Sequence, residues 1–287
     1  MNHILTLLRP HQYVKNLFIF APLIFAFNFN QASVFNATVA FILFSLLASS
    51  IYVLNDFMDI EEDKKHPTKR NRPLASGAIS LTTANFLFLG LSSTTLIATY
   101  FFSTALFTVL VIYFVLNILY SYKFKHIAIV DIFIIATGFV LRLFAGAQVT
   151  DTSLSMWIII ITFLLAIFLA LAKRRDDVLL SIEGKETRKN IDGYNLEFVN
   201  AAMVLMSGVV ILSYLQYTVS PEVIARLGSE YLYLTTLFVI LAILRYMQIT
   251  FVEQQSGSPT KIVLKDTFIK VTLLLWLISF VAIAKLV

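Results

Sequence analysis

Long apolar stretches, separated by short polar segments, make up most of this chain of 287 residues. Each stretch holds about 20 residues, the length that an α-helix needs to cross the hydrocarbon core of a bilayer. The apolar residues are continuous rather than alternating, which favours helices over membrane-spanning strands of about ten residues. The pattern predicts nine transmembrane helices, at roughly 14–31, 34–54, 82–102, 104–121, 128–147, 154–172, 196–218, 229–250 and 267–286.

The composition indicates that lipid rather than water surrounds these helices. Hydrophobic residues form 59% of the chain and charged residues 14%, with a mean hydropathy of +0.83, against about 45–50% and about 25% in soluble domains. These values exclude an ordinary soluble domain, a disordered chain and a nucleic-acid-binding module. We therefore expect an all-α, polytopic membrane protein in which residues 1–287 form a single integral membrane domain. Because the chain has no cysteine, it has no disulfide, thiol nucleophile or Cys-based zinc site.

Charged residues are distributed unevenly between the two ends of the predicted helices. Only Arg226 and Lys285 fall on one side, Arg142 lies inside the fifth stretch, and every other Lys and Arg shares the side of the N-terminus. The positive-inside rule makes that side cytoplasmic, which predicts a protein of the cell inner (plasma) membrane with a cytoplasmic N-terminus. All but three of the 17 acidic residues fall on the same side. Membrane insertion does not require acids there, so their position indicates a polar site facing the cytoplasm.

The densest polar stretch follows the second predicted helix. On a helix, Asp56, Asp59 and Asp63 would lie within about 60° of one another, with Asn55 beside them. Three carboxylates on one face repel one another unless a cation lies between them, and oxygen ligands suit Mg²⁺ that bridges carboxylates to phosphate oxygens. This face therefore indicates a Mg²⁺–diphosphate site. The alternative is a solvated helix end without a ligand.

Basic residues come directly after the aspartates. A metal held by carboxylates beside Lys and Arg suits a diphosphate leaving group, so we expect Lys69 and Arg72 to contact one. Pro73 stops helix continuation and fixes the turn. The alternative is a basic loop that only sets membrane orientation, and we favour it for Lys64 and Lys65.

The order Asn-Asp-x-x-Asp-x-x-x-Asp-x-x-His-Pro-x-Lys-x-x-Arg-Pro-x-x-Ser-Gly over residues 55–77 resembles the first aspartate-rich motif of the UbiA superfamily of intramembrane prenyltransferases. The resemblance implies nine helices around a membrane-embedded cavity and Mg²⁺-dependent departure of pyrophosphate from a donor. That family has a second motif, Asp-x-x-x-Asp, in the loop after the sixth helix. The loop predicted here instead reads Lys173-Arg174-Arg175-Asp176-Asp177, which argues against an ordinary prenyl diphosphate donor.

Residues 8–16, residues 120–125 and the fifth stretch, together with Lys173-Arg174, resemble the phosphoribosyltransferase branch of this family. That branch implies transfer of a 5-phosphoribosyl group from phosphoribosyl pyrophosphate to a decaprenyl-type polyprenyl phosphate, with release of pyrophosphate, in cell envelope biosynthesis. We expect the metal ligands to be Asn55, Asp56, Asp59 and Asp63, and the catalytic residues to be Asp56, Asp59, Asp63, Lys69 and Arg72. The residues expected to bind substrate are Lys15, Asn16, Asn55, Tyr120, Lys125, Asp131, Arg142, Lys173 and Arg174.

Asp131 and Arg142 are ionisable residues of the fifth stretch. They lie on nearly one helical face but about 16 Å apart along it, so they cannot pair with each other. An ionisable residue inside a membrane helix is costly and points by default to function. The alternative is a structural ion pair with another helix.

Two other interpretations of the chain stay open. A conventional UbiA-type enzyme would transfer a polyprenyl group from its diphosphate to an aromatic or quinone-precursor acceptor, and it would share the first motif. A transporter would place ionisable residues near the bilayer midplane on broken helices, whereas the acids here cluster at one membrane face. Oligomeric state and polyprenyl chain length are left open.

Overall fold

The computed structural model describes residues 3–66, 68–184, 191, 193–255, 257 and 259–285. Over these residues the chain folds into helices and turns without a β-strand, as predicted. Eight of the described helices are long and apolar enough to cross a membrane: Gln31–Met58, Leu81–Phe102, Thr104–Tyr122, Val130–Thr150, Met156–Ile182, Leu196–Thr218, Tyr231–Phe251 and Thr267–Ala284. The protein is thus an all-α, multi-pass membrane protein.

The first predicted helix, 14–31, is not a continuous α-helix, so the count of nine is not confirmed. Pro10 and Pro22 lack the amide donors that a continuous helix would need at these points. Phe27 ends this region in the left-handed conformation, with φ 53°. The segment divides into α1 His3–Leu8, a 3₁₀ segment Pro10–Phe20 and α2 Ala21–Ala26.

The other helices follow the predicted order. Polar side chains cap several of them, since Asn30, Ser80, Ser103 and Asn195 each accept a hydrogen bond from a backbone amide in the first turn. Short 3₁₀ turns lie at Lys69–Asn71, Phe124–His126 and Tyr231–Thr235. The helices are α3 Gln31–Met58, α4 Ile60–Lys65, α5 Leu81–Phe102, α6 Thr104–Tyr122, α7 Val130–Thr150, α8 Met156–Ile182, α9 Leu196–Thr218, α10 Pro221–Leu227, α11 Thr236–Phe251, α12 Pro259–Lys265 and α13 Thr267–Lys285.

The chain divides into two compact units, Met1–Leu154 with Ser181–Gly193, and Ser155–Leu180 with Tyr194–Val287. In the first unit, α3, α6, α7 and the segment Pro10–Phe20 share a buried apolar core that includes Phe44 and Leu110. Gly146 on α7 allows a close approach of the segment Pro10–Phe20, because a Cβ added there would overlap the backbone carbonyl oxygen of Ile19. The prediction of a single integral membrane domain stays a prediction.

The helix α8 extends ten residues beyond the predicted end at 172 and reaches Ile182. The segment Lys173–Asp177 is therefore helical, and its prediction as a loop is wrong. Residues 173–183 contain neither proline nor glycine, so nothing local interrupts the helix until Gly184, whose φ is 72°. Arg175 connects α8 to its neighbours: its Nε donates to Asn200 Oδ1 at 2.9 Å and its Nη1 to the carbonyl of Thr250 at 2.8 Å.

Candidate active site

A guanidinium connects two of the predicted catalytic aspartates. Arg72 Nη1 donates to Asp56 Oδ1 at 3.0 Å and to Asp63 Oδ2 at 2.7 Å. The two aspartates are 2% and 3% exposed. Burial raises the pKa of Asp63, and the neighbouring Arg72 guanidinium opposes this by lowering it. Of the two predicted catalytic cations, Arg72 is therefore in direct contact with the carboxylates, and Lys69 lies close enough to Asp63 to interact electrostatically.

The aspartates do not lie on a single regular helix. α3 ends at Met58, Asp59 adopts φ −98° and ψ 5°, and α4 begins at Ile60. Helix-like hydrogen bonds nevertheless continue across the break, from the amide of Asp59 to the carbonyl of Asn55 and from the amide of Asp63 to the carbonyl of Asp59. The helical spacing considered from the sequence is therefore largely kept, although the three aspartates are divided between α3, the break at Asp59 and α4.

Arg72 lies in a loop that packs against buried apolar residues, and from this loop it contacts the aspartates. Its backbone is extended, with φ −64° and ψ 145°, as expected for a residue before proline. Beyond Pro73, the side chains of Leu74 and Ile79 are buried against Leu7 and Val53. These apolar contacts hold the loop against α3.

Arg9 is a site residue that was not predicted. Its side chain forms an ion pair with Asp56 and lies over the Tyr52 ring, 5.3 Å from the centroid. Arg9 adopts the left-handed conformation, φ 52°, immediately before Pro10. Ser49 holds this turn by donating to the carbonyl of Leu8 at 2.8 Å. The available signal was Arg9-Pro10 itself, because a residue before proline is restricted and rarely continues a helix.

Lys125 contacts Asp59, the remaining aspartate of the motif. It lies in the 3₁₀ turn Phe124–His126, is 7% exposed, and forms an ion pair with Asp59. It was predicted to hold a substrate phosphate, and in this structure its ammonium group neutralises a carboxylate instead. Asp56, Asp59 and Asp63 therefore each have a cationic partner.

Also in the first unit, the side chains of Arg142 and Asn16, two of the predicted substrate-binding residues, contact each other. Arg142 Nε donates to Asn16 Oδ1 at 2.8 Å, and Nη1 donates to the carbonyl of Gly138 at 2.6 Å. The guanidinium also lies against the rings of Phe44, Tyr113 and Phe139, with centroid distances of 4.8, 5.3 and 5.3 Å. Lys15, one residue before Asn16, is close enough to Arg142 to be repelled by it.

The remaining predicted residues are less closely grouped. Asp131 is fully buried in the first turn of α7, and Tyr120 lies near the end of α6. Lys173 and Arg174 lie on α8, in the second unit, where Arg174 forms an ion pair with Asp177.

The donor chemistry of the aspartate cluster fits a hard cation. Within the described ranges, no three His, Asp or Glu side chains are close enough together to hold a metal ion unaided. However, Arg72 Nη1 already contacts two buried carboxylates at once. Asn55 Oδ1 is buried beside them without a hydrogen-bond partner in the described part of the chain. Asn55, Asp56 and Asp63 thus offer oxygen ligands, and a metal would have to displace the guanidinium.

Comparison with known proteins gives consistent relatives over nearly the whole chain. The sequence model of the UbiA prenyltransferase family matches residues 17–282. The decaprenyl-phosphate phosphoribosyltransferase of Mycolicibacterium smegmatis is 30% identical over 281 residues, covering 94% of this chain and 88% of that protein. The enzyme of the same name from Corynebacterium glutamicum is 30% identical, covering 96% and 84%. The solved structure of a UbiA homolog from Archaeoglobus fulgidus bound to DMAPP and Mg²⁺ has the same fold, with a TM-score of 0.73 at 18% identity and full coverage of both chains.

Proposed function

Because this chain belongs to the UbiA prenyltransferase family and is a transferase, we propose that it transfers a 5-phosphoribosyl group from phosphoribosyl pyrophosphate to a polyprenyl phosphate of the decaprenyl type. Pyrophosphate is the other product. The observation that carries the proposal is the cluster in which Arg9, Arg72 and Lys125 face three aspartates. Such a cluster offers both metal ligands and cations for a diphosphate leaving group.

The metal in this proposal is Mg²⁺, held by Asn55, Asp56, Asp59 and Asp63. When bound, it would polarise the diphosphate oxygens and neutralise their charge. The proposal is supported by the orphaned Asn55 Oδ1 and by the position of Arg72 between two carboxylates. In the family, the Archaeoglobus fulgidus homolog is bound to Mg²⁺.

The cations of the cluster act on the leaving group. In this proposal Arg72, once released from Asp56 and Asp63, and Lys69 would neutralise the negative charge that develops on pyrophosphate. The bond from ribosyl C1 to the diphosphate oxygen breaks, and C1 gains oxocarbenium character. An oxygen of the acceptor phosphate attacks the opposite face and forms the new bond with inversion at C1. The acceptor is already an anion near pH 7, so no strong general base is required.

The orientation of the site follows from the charge distribution. The aspartate cluster and nearly all basic residues fall on the side of the N-terminus, which the positive-inside rule places in the cytoplasm. We therefore place the enzyme in the inner membrane with its active site facing the cytoplasm, where a water-soluble phosphorylated sugar donor would enter.

A direct assay tests the proposed reaction. Purified protein in detergent is incubated with Mg²⁺, polyprenyl phosphate and labelled phosphoribosyl pyrophosphate, and we expect label to appear in the lipid. Asp56→Asn and Asp59→Asn should abolish turnover without loss of folding, because each removes a carboxylate charge from the cluster. Glu61→Gln is the matched control, since its side chain is 81% exposed and pairs only with the surface residue Lys64 among described residues.

Two results would contradict the proposal. If no lipid is labelled while a prenyl diphosphate is consumed with an aromatic acceptor, the enzyme is a conventional prenyltransferase. Full activity in either aspartate variant would show that the cluster is not the metal site.

A further inference from the structure

Arg142 is a buried cation without an acidic partner. It is 5% exposed, and no Asp or Glu of the described residues forms an ion pair with it. A guanidinium carries five N–H donors. Its hydrogen bonds engage Asn16, the carbonyl of Gly138 and, at a long 3.5 Å, the hydroxyl of Tyr113. Part of its donor capacity is therefore left for another group, and no carboxylate of the described residues neutralises its charge.

Lys15 adds a second cation close to Arg142. It lies on the segment Pro10–Phe20, and among the described residues it has no ion pair. Its neighbour in the chain, Asn16, contacts Arg142 directly, and Lys15 is close enough to Arg142 and Arg9 for like-charge repulsion. Arg9 has Asp56 as a partner, whereas Lys15 and Arg142 are left to repel each other. Two like charges held together in an apolar environment are costly unless an anion lies between or beside them.

The Arg142 side chain is also held in position from several directions. Asn16 accepts from Arg142 Nε and donates through Nδ2 to Ser45 Oγ, both at 2.8 Å, and Asn16 is 1% exposed. The rings of Phe44, Tyr113 and Phe139 restrict the plane of the guanidinium. Such fixing serves recognition of a planar set of oxygens, because Arg binds phosphate through a pre-oriented fork. Asn16 and Ser45 are thus positioning residues for Arg142.

We propose that Lys15 and Arg142 bind a phosphate monoester separate from the metal-bound diphosphate. The proposal rests on the proposed function, in which two such groups take part: the 5-phosphate of the donor and the phosphate of the acceptor lipid. The diphosphate belongs to the aspartates, which offer metal ligands. Lys15 and Arg142 have no paired carboxylate and so suit an anion that carries no metal. Lys125, which was predicted to share this role, is excluded because it pairs with Asp59.

The test measures binding in the absence of metal, so that the aspartate cluster does not contribute. The full-length protein in detergent with EDTA is titrated with ribose 5-phosphate in one arm and with a polyprenyl phosphate in the other, by calorimetry. The uncharged polyprenyl alcohol controls for the lipid chain. The variants are Lys15→Gln and Arg142→Gln, and Lys261→Gln is the matched control because it removes one exposed cation from the second unit. Arg142→Lys keeps the charge without the fork, and thermal unfolding checks that each variant folds.

Loss of a charge-assisted contact should weaken phosphate binding by about tenfold or more. Weaker binding of ribose 5-phosphate alone would assign the site to the donor, and weaker binding of the polyprenyl phosphate alone would assign it to the acceptor. Either result supports the proposal, provided that Lys261→Gln binds normally. Unchanged binding of both ligands to Lys15→Gln overturns it, even if Arg142→Gln does not fold. A protein that binds a phosphate monoester through Lys15 but transfers no phosphoribosyl group would contradict the proposed function while leaving this site intact.

Discussion

Replacing Arg72 by alanine should lower the free energy of unfolding in the absence of metal. At the same time, it should increase the stabilisation that Mg²⁺ gives. The guanidinium contacts Asp63 at 2.7 Å and Asp56 at 3.0 Å, and both carboxylates are almost fully buried. Removing one partner of a buried ion pair costs about 3–5 kcal/mol. Arg72 is 26% exposed, and Asp56 keeps Arg9 as a partner. We therefore expect a smaller loss in the free energy of unfolding, about 1–3 kcal/mol in the absence of metal.

The metal dependence distinguishes this explanation from simple destabilisation. According to the proposed function, Mg²⁺ competes in the wild-type protein with the guanidinium between Asp56 and Asp63. In Arg72→Ala that place is open, so Mg²⁺ should bind more tightly and raise the unfolding temperature by more than in the wild type. Turnover should still fall by about 10²–10³-fold, because the cation that stabilises the leaving pyrophosphate is gone.

The assay is thermal unfolding of the detergent-purified protein in EDTA and over a series of Mg²⁺ concentrations, paired with the lipid-labelling reaction. Arg70→Ala serves as the control, since Arg70 lies in the same short turn with an exposed side chain. If Arg72→Ala responds to Mg²⁺ no more than the wild type does, or if it keeps full turnover, Arg72 does not stand in a cation site and the argument fails.

Two further predictions concern stability alone. Gly146→Ala should lower the free energy of unfolding by about 1–3 kcal/mol, because the new methyl overlaps the carbonyl of Ile19. Gly208→Ala is the control in the same unfolding measurement, since a Cβ added at Gly208 has no atom within 4 Å. Equal stability of the two variants would contradict the contact at Gly146. In the second unit, hydrogen bonds from Arg245 at 2.8 and 3.2 Å lower the pKa of Asp266 below its ordinary value of 3.8. The ionised carboxylate therefore stabilises the fold above that pH and loses this contribution as the pH falls through the lowered pKa. Asp266→Asn should lower the free energy of unfolding by about 0.2–1 kcal/mol at neutral pH. The measurement is a pH series of unfolding midpoints. A difference between variant and wild type that stays constant down to about pH 3 would refute the linkage.

Most of the helices could be predicted from the sequence alone, because the bilayer restricts the structures that an apolar segment can form. An apolar stretch of about 20 residues has to satisfy its own backbone hydrogen bonds in hydrocarbon, so its secondary structure follows from its length and composition. The prediction failed at 14–31, where Pro22 interrupts the helix, and at the end of α8, where charged residues continue the helix without a local stop.

Only the part of the candidate site that lies within one short sequence motif could be predicted. Asp56, Asp59, Asp63 and Arg72 lie within one short motif, and three of them meet directly in the structure. The partner of Asp56 on the N-terminal side, Arg9, is 47 residues away in sequence, and the turn that aims it depends on hydrogen bonds to α3.

The same limit applies to the other cations. From the sequence, Lys15 and Lys125 were equivalent candidates for binding a substrate phosphate, and Arg142 was a further predicted substrate-binding residue with a structural ion pair as its alternative. In the fold, Lys125 neutralises Asp59, whereas Lys15 and Arg142 are left without an acid among the described residues. Which charges neutralise one another depends on how separate segments pack, because electrostatic pairing acts over a few ångströms in space and is indifferent to distance along the chain.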